Sequence, residues 1–173
     1  MYNSTISGKA SNEEIAKVVF KYSNNTNFEV VKDLSGYKLF LKDEGDYVNL
    51  MEVESVLNNR WLDSRTSIGQ YQKSKGDYSI STIYDNIDED NVSMSVIVFG
   101  KNKDASKIEI IFNGKNYSEE IKPNEYFLVT FPRFEIFKNS DIDNIYNGEE
   151  SELLKIRFLD SKGNEHNDMK FAN

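Results

Sequence analysis

The chain has no cysteine, a single histidine and two prolines among its 173 residues. Without cysteine, the sequence excludes disulfide bonds, thiolate nucleophiles and cysteine-ligated zinc sites. No stretch approaches the roughly 20 apolar residues of a transmembrane helix or contains the apolar core of a signal peptide. The sequence therefore predicts no transmembrane segment within these residues, and any membrane anchor is expected upstream of Met1.

Positive charge is also scarce, since 21 basic side chains face 29 acidic ones and the net charge is −8. Binding to nucleic acid or to an anionic membrane depends on clustered positive charge, and the sequence has no basic patch with interleaved aromatics. We therefore expect neither as a partner. An acidic surface does suit a basic protein partner, because complementary charge speeds and directs association.

The N-terminal segment contains the clearest helix signal. Residues 1–10 are polar and without pattern, and are interpreted as a flexible leader. The sequence Ser11-Asn12-Glu13-Glu14 matches a capping box, in which a serine and a glutamate satisfy free amides of a first helical turn. Apolar residues then recur at helical spacing, which predicts a short amphipathic helix: Ile15, Val18, Val19 and Tyr22.

Strand patterns with short turns occupy most of the remaining sequence. The alternation of apolar and polar residues, the Asn113-Gly114 hairpin and the 160–164 turn all favour antiparallel sheets. The segment 58–69 is interpreted as a tryptophan-bearing element followed by a polar loop. The predicted strands lie near 28–31, 37–42, 47–54, 78–84, 93–99, 107–112, 116–121, 126–131 and 153–159.

The acidic, turn-rich segment 85–91 separates two β-rich regions and is the best candidate for a domain boundary. The predicted fold class is mainly β, or α+β overall. In this prediction, 11–85 form an α+β module in which the helix packs on an antiparallel sheet. Residues 92–173 form a small immunoglobulin-like β-sandwich, because short strands with regular turns are typical of that fold.

Two regions of the sequence carry a resemblance to known proteins: Asn59-Arg60-Trp61 in the first half, and in the second half Val98-Phe99-Gly100, Ser106 to Ile110, Tyr126-Phe127-Leu128 and Phe158 to Asn164. The order of these segments resembles that of a loosely defined set of small exported or membrane-anchored proteins of low-GC Gram-positive bacteria. This resemblance implies an extracytoplasmic location, and it supplies no catalytic residue.

Motifs for catalysis are missing from the sequence. A hydrolase triad needs a base that titrates near neutral pH, and His166 is the only such side chain. The sequence has neither a Gly-x-Ser-x-Gly nucleophile motif nor a glycine-rich phosphate loop. We therefore expect a protein that is not an enzyme, with no catalytic residues and no organic cofactor. A hydrolase that uses only carboxylates remains a weaker alternative.

Two acidic segments are weak candidates for calcium ligands, because carboxylates in loops supply the hard oxygen atoms that Ca²⁺ prefers. Asp88 and Asp90 lie in the first segment, and Asp141 and Asp143 begin the second one in the manner of an EF-hand. The EF-hand pattern then fails, because Tyr146 replaces the glycine of the turn. Solvated acidic loops are the competing interpretation of both segments.

Aromatic and cationic residues near the tryptophan suggest a possible ligand surface, formed by Arg60, Trp61, Arg65 and Tyr71. The competing interpretation is that Trp61 fills the base of the first module. The leading functional hypothesis is a non-enzymatic extracytoplasmic module that binds a protein or a cell-envelope component at the bacterial surface. The alternative is an acidic inhibitor or immunity-type protein that masks a basic partner.

Overall fold

The computed structural model describes residues 5–7, 11–18, 27–34, 37–56, 60–86, 88, 90–112, 114–130, 135–138 and 154–172. Within these ranges the chain forms one helix and twelve strands, and all named strands pair antiparallel, which confirms the mainly β prediction. The chain divides into two compact units, Met1–Gln72 and Lys73–Asn173. The elements are β1 Thr5–Ser7, α1 Asn12–Val18, β2 Val30–Leu34, β3 Tyr37–Glu44, β4 Tyr47–Val56, β5 Arg60–Gln72, β6 Tyr78–Asn86, β7 Asn91–Lys101, β8 Lys107–Phe112, β9 Lys115–Glu120, β10 Tyr126–Thr130, β11 Glu135–Lys138 and β12 Leu154–Leu159.

The predicted capping box starts helix α1. The backbone N–H of Ser11 donates to the Glu14 carboxylate at 2.7 Å, and the N–H of Glu14 donates to the Ser11 hydroxyl at 3.2 Å. Both bonds satisfy amides that the first turn of a helix leaves free. Ile15 is completely buried, as its place in the apolar stripe predicted. Val19 and Tyr22 of that stripe lie outside the described residues.

The first unit contains one five-stranded sheet in the order β1-β5-β4-β3-β2. Phe40 of β3 and Met51 of β4 are cross-strand partners, so their side chains lie on the same face. Together with Val53 and Ile15 they form a buried hydrophobic cluster. Phe28 packs against Phe40 with ring centroids 4.8 Å apart. Apolar contacts thus join β3, β4 and a residue of α1.

Strand β5 differs from the sequence prediction, which placed a polar loop through residue 69. The strand pairs with β4 from Tyr47↔Gln72 to Val56↔Arg60, with shifts of register between Leu50 and Glu54. Such bulges interrupt the alternation of side chains on which recognition of a strand depends. Residues 5–7, assigned to a flexible leader, form strand β1 and pair with the other edge of β5.

The second unit contains two sheets, one with β7 at its centre and one in the order β12-β8-β9. β7 pairs with β6 along one edge and with both β10 and β11 along the other. The side chains of β8 alternate between partly buried and buried, as the sequence predicted. Both sheets contribute to one hydrophobic cluster, which includes Val96, Val98, Ile108, Ile110, Phe112, Phe127 and Phe158.

The segment 85–91 includes the end of β6 and the start of β7, which form a hairpin, and it is not a boundary between units. β6 and β7 pair from Tyr78↔Gly100 to Asn86↔Val92, so the chain reverses direction there within one sheet. The Asp88 carboxylate accepts hydrogen bonds from the backbone N–H groups of Asp90 and Asn91 at 2.9 and 2.8 Å. The compact units instead divide between Gln72 and Lys73. Turn-forming residues are typical both of hairpin turns and of linkers between domains, so the sequence alone does not distinguish the two.

The C-terminal residues are part of the second unit. Phe171 forms a parallel bridge with Tyr78, and the Ala172 N–H donates to the Tyr78 carbonyl oxygen at 2.9 Å. The Tyr78 ring lies 5.5 Å from the Phe171 ring and 5.0 Å from the Phe158 ring. Phe158 in turn contacts Phe127 at 5.8 Å. Burial in this aromatic cluster raises the pKa of the Tyr78 hydroxyl.

Candidate functional site

Three connections of the second unit meet at one end of its sheets. The β7–β8 connection spans 102–106, the β9–β10 connection spans 121–125, and a turn at 160–164 follows β12. Register brings them together, because Lys107 at the start of β8 is paired with both Glu120 and Leu159 at the ends of β9 and β12. We call this region the loop end.

The loop end surrounds an open depression of about 620 Å³. Lys107, Glu120 and Leu159 are direct cross-strand partners, so they lie on the same face of the three-stranded sheet. That face is the outer one, because the neighbouring residues Ile108 and Phe158 belong to the core. The remaining lining residues come from the three connections: Ser106, Ile121, Lys122, Asp160, Ser161 and Gly163.

Asn102 holds two of the three connections together. Its side chain is buried, and its Nδ2 donates to the carbonyl oxygens of Ala105 and Lys122 at 2.7 and 2.8 Å. Its Oδ1 accepts a hydrogen bond from the Ala105 N–H at 3.2 Å. One amide group therefore satisfies three backbone groups from two different loops. The backbone N–H of Ser106 joins this arrangement to β12 by donating to the Leu159 carbonyl oxygen at 2.8 Å.

Asp160 organises the third connection. Its Oδ1 accepts from the backbone N–H groups of Lys162 and Asn164 at 2.7 and 2.9 Å, and its Oδ2 accepts from Asn164 Nδ2 at 3.0 Å. Gly163 completes the turn at a φ of 85°, a conformation that costs glycine little. The side-chain and backbone bonds from Asn164 are the main cause that lowers the pKa of the Asp160 carboxyl.

The lowered pKa predicts that the turn loses order only in strong acid. A carboxylate with a folded-state pKa below its unfolded value stabilises the fold fully above that value of 3.8. The contribution is lost as the pH falls through the folded-state pKa. We therefore expect the amide signals of Lys162 and Asn164, followed by NMR on acidification, to change with a midpoint below 3.8. A midpoint at or above that value would contradict the hydrogen-bonded turn.

Most of the lining side chains are polar, and they include both charges. Lys122 lies 3.6 Å from the Glu125 carboxylate, an exposed pair that contributes little stability. Lys107 makes no ion pair within the described residues. Two ammonium groups, two carboxylates and the hydroxyls of Ser106 and Ser161 therefore border the depression. Such groups suit hydrogen bonding to a polar or zwitterionic ligand.

The ligand surface proposed from sequence lies elsewhere, along β5. Arg60 and Tyr71 are eleven residues apart in that strand, which corresponds to about 35 Å at a rise of roughly 3.3 Å per residue. Tyr71 is only 4% exposed, so its ring is not part of an exposed surface. The backbones of Arg60, Trp61 and Arg65 are described in β5, whereas their side chains lie outside the described part of the structure. A surface formed by those three residues stays a prediction.

The calcium candidates are only partly covered by the structure. Asp88 is exposed, and its carboxylate accepts bonds from both the backbone and the side chain of Asn91. Asp90 is also exposed, and Asp141 and Asp143 lie outside the described residues. In the part of the chain that the structure describes, no three acidic or histidine side chains are grouped as a metal site would require.

His166 packs near the loop end, where its imidazole faces a carboxylate of the β7–β8 connection. Its Nε2 lies 3.3 Å from the Asp104 Oδ1, and its backbone N–H donates to the Phe158 carbonyl oxygen at 2.6 Å. These two contacts hold the residues that follow the 160–164 turn against β12 and the β7–β8 connection. The helix that the structure describes is not long and apolar enough to cross a membrane.

The sequence analysis recognised the 160–164 turn as a turn, but it did not identify Ser106, Lys107 or Lys122 as candidate binding residues. A lysine at the start of a strand gives no signal of its own, and only the cross-strand register brings it beside Leu159 and Asp160. Comparison of the chain with protein-family models, with curated proteins and with solved structures finds no match.

Proposed function

We propose that the protein is a non-enzymatic extracytoplasmic module that binds a cell-envelope component or a protein at the surface of a Gram-positive bacterium. The ligand is held at the loop end of the second unit. The observation that carries this proposal is that Asn102 and Asp160 hold three loops in place around one open depression, which polar and charged side chains border. Loops fixed before binding lose little conformational entropy when a ligand arrives, which favours recognition.

We propose further that the second unit is an immunoglobulin-like sandwich. Its strand orders, β6-β7-β10 and β12-β8-β9, correspond to the orders A-B-E and F-C-C′ of that fold. The residues after β12 take the place of strand G, with an antiparallel bridge Leu159↔Glu165 and a parallel bridge Tyr78↔Phe171. In variable-type domains the B–C and F–G loops form the binding end, and their counterparts here border the depression.

The first test measures co-sedimentation of the protein with purified Gram-positive cell walls. We expect binding that changes little between about 0.05 and 0.5 M salt, because short-range hydrogen bonds are screened less than long-range attraction. Lys107→Ala should weaken it about tenfold, the effect of losing one charged hydrogen bond of roughly 1–2 kcal/mol. The matched control is Lys155→Ala. Lys155 of β12 lies opposite Ile111 of β8, which is four residues beyond Lys107 on the same face of the sheet. Absence of wild-type binding, or equal loss in both variants, would contradict the proposed site.

The net charge of −8 favours the second candidate, an inhibitor or immunity-type protein that masks a basic partner. Its binding would be electrostatic and would therefore collapse over the same range of salt. Cell-wall binding that disappears at about 0.5 M salt, together with capture of a basic protein at low salt, would favour this function over the first.

A further inference from the structure

A lysine, a glutamate and an asparagine lie side by side next to the turn between β3 and β4. Lys42 and Asn49 are direct cross-strand partners, and Glu44 follows Lys42 on the same face of the sheet. The Lys42 Nζ lies 3.4 Å from the Glu44 Oε1, and the Asn49 Nδ2 donates a hydrogen bond to the Glu44 Oε2. One carboxylate therefore contacts the side-chain nitrogen atoms of both neighbours, each through a different oxygen.

The lysine of this group is shielded from water. Its side chain is only 7% exposed, whereas that of Glu44 is 33% exposed. The next pair on the same face of the sheet is Phe40 with Met51, and both belong to the buried hydrophobic cluster of the first unit. Water competes with an amine for a carbonyl carbon, so its exclusion favours attack by the amine over hydrolysis.

We propose that Lys42 and Asn49 become joined by an isopeptide bond, an amide between their side chains, with Glu44 as the base and acid of the reaction. The Lys42 ammonium passes a proton to the Glu44 carboxylate, and the resulting amine attacks the Cγ of Asn49. The bond between Nζ and Cγ forms, and the bond between Cγ and Nδ2 breaks. In all, two protons pass from Nζ through Glu44 to the departing nitrogen, which leaves as an ammonium ion. The carboxylate ends as it began, and no co-reactant is needed.

The position of the carboxylate suits both halves of this reaction. An amide nitrogen must take up a proton before it can leave, and the Glu44 carboxylate contacts that nitrogen as well as the attacking one. The turn fixes the two strands, because Gly45 adopts a φ of 78° and its N–H donates to the Asp43 carboxylate at 3.0 Å. Groups held in this way react as if at a high effective concentration.

A second lysine of β3 provides a comparison within the same sheet. The Lys38 Nζ lies 2.7 Å from the Asp33 carboxylate and donates to the Asn12 Oδ1 at 3.5 Å. This amide directs its oxygen at the lysine, and no carboxylate of the described residues is bonded to its Nδ2. Asp33 is also 70% exposed. Lys38 therefore has an amide neighbour but no acid at the leaving nitrogen, and we expect no bond there.

The test measures the intact mass of the full chain after denaturation. We expect the wild type to be lighter than its sequence by the mass of one ammonia molecule. A succinimide at Asn113-Gly114 would cause the same loss, so the position of the loss has to be located. After digestion with trypsin and with a protease that cleaves after glutamate, 39–44 and 45–52 should remain joined to each other, although the backbone between them is cut.

Lys42→Arg should keep the full mass because it removes the nucleophile, and Glu44→Gln should slow the reaction by at least about 100-fold because it removes the base. The matched controls are Lys38→Arg, in the same strand, and Asp46→Asn, an exposed carboxylate of the same turn, and both should still form the bond. A wild type of full mass would overturn the proposal, and this measurement does not depend on the folding of any variant. A bond between Lys38 and Asn12, or one that forms as fast in Glu44→Gln, would overturn it equally.

Discussion

Phe158→Ala is expected to lower the free energy of unfolding of the second unit by about 3–5 kcal/mol, the usual result of removing a buried phenylalanine. The ring is 4% exposed and belongs to the core cluster shared by both sheets. It also contacts Tyr78 at 5.0 Å and Phe127 at 5.8 Å, and aromatic pairs contribute beyond their buried area. Urea unfolding followed by circular dichroism would measure the loss.

The same substitution should release the C-terminal residues before the whole unit unfolds. Tyr78 loses one of the two aromatic rings that hold it, so the hydrogen bond from the Ala172 N–H to the Tyr78 carbonyl oxygen opens more often. Hydrogen exchange at the Ala172 amide should accelerate strongly. Lys75→Ala is the control, because it removes an exposed side chain of the same unit and should cost under about 0.5 kcal/mol. Equal costs for the two variants would contradict the role given to Phe158.

Asn102→Ala is expected to cost about 2–4 kcal/mol, because it leaves the buried N–H and carbonyl groups of Ala105 without their partner. The Lys122 carbonyl oxygen loses one of its two hydrogen bonds and keeps the one from the Glu125 N–H. Asn102 is only 2% exposed, so water cannot easily replace the lost amide. The two loops that it joins should loosen, and binding at the depression should weaken with them. Thermal unfolding and amide exchange of Ala105 would measure the two effects.

Asn102→Asp separates hydrogen bonding from packing, because it keeps nearly the same shape. The carboxylate can still accept from the Ala105 N–H, but it has no donor for the carbonyl oxygens of Ala105 and Lys122 and brings a buried charge. We expect it to destabilise at least as much as the alanine variant. Asn167→Ala, at an exposed position, should change stability by less than about 0.5 kcal/mol. An Asn102→Asp variant as stable as the wild type would refute the bracing role.

The sequence correctly predicted those parts of the fold that are determined by interactions between residues close together in the chain. The Ser11–Glu14 capping box is formed by neighbouring residues, and the alternation of β8 follows from one buried and one outward face. β5 was missed because its polar sequence and its bulges hide the strand period, while β4 and β1 supply the hydrogen bonds that make it a strand. Long-range pairing of that kind leaves no local trace.

For the candidate site, too, the sequence predicted local features and missed those that depend on strand register. The 160–164 turn was recognisable, because Asp160, Gly163 and Asn164 are residues that favour turns within a few positions of each other. Lys107 and Lys122 were not recognisable, since their proximity depends on the register of β8 with β9 and β12. Burial of Tyr71 was equally hidden, because an aromatic residue in a polar segment has the same appearance in sequence whether it is covered or exposed.

The bridge between Tyr78 and Phe171 has a consequence for the order of folding during synthesis. The β2–β3–β4 meander joins strands that are neighbours in sequence, so it can form soon after it leaves the ribosome. In the second unit residue 78 pairs with residue 171. This contact can form only after almost all of that unit has been translated. In the interval the apolar surface of β7 and β8 is exposed, and chaperones that bind nascent chains would meet it there.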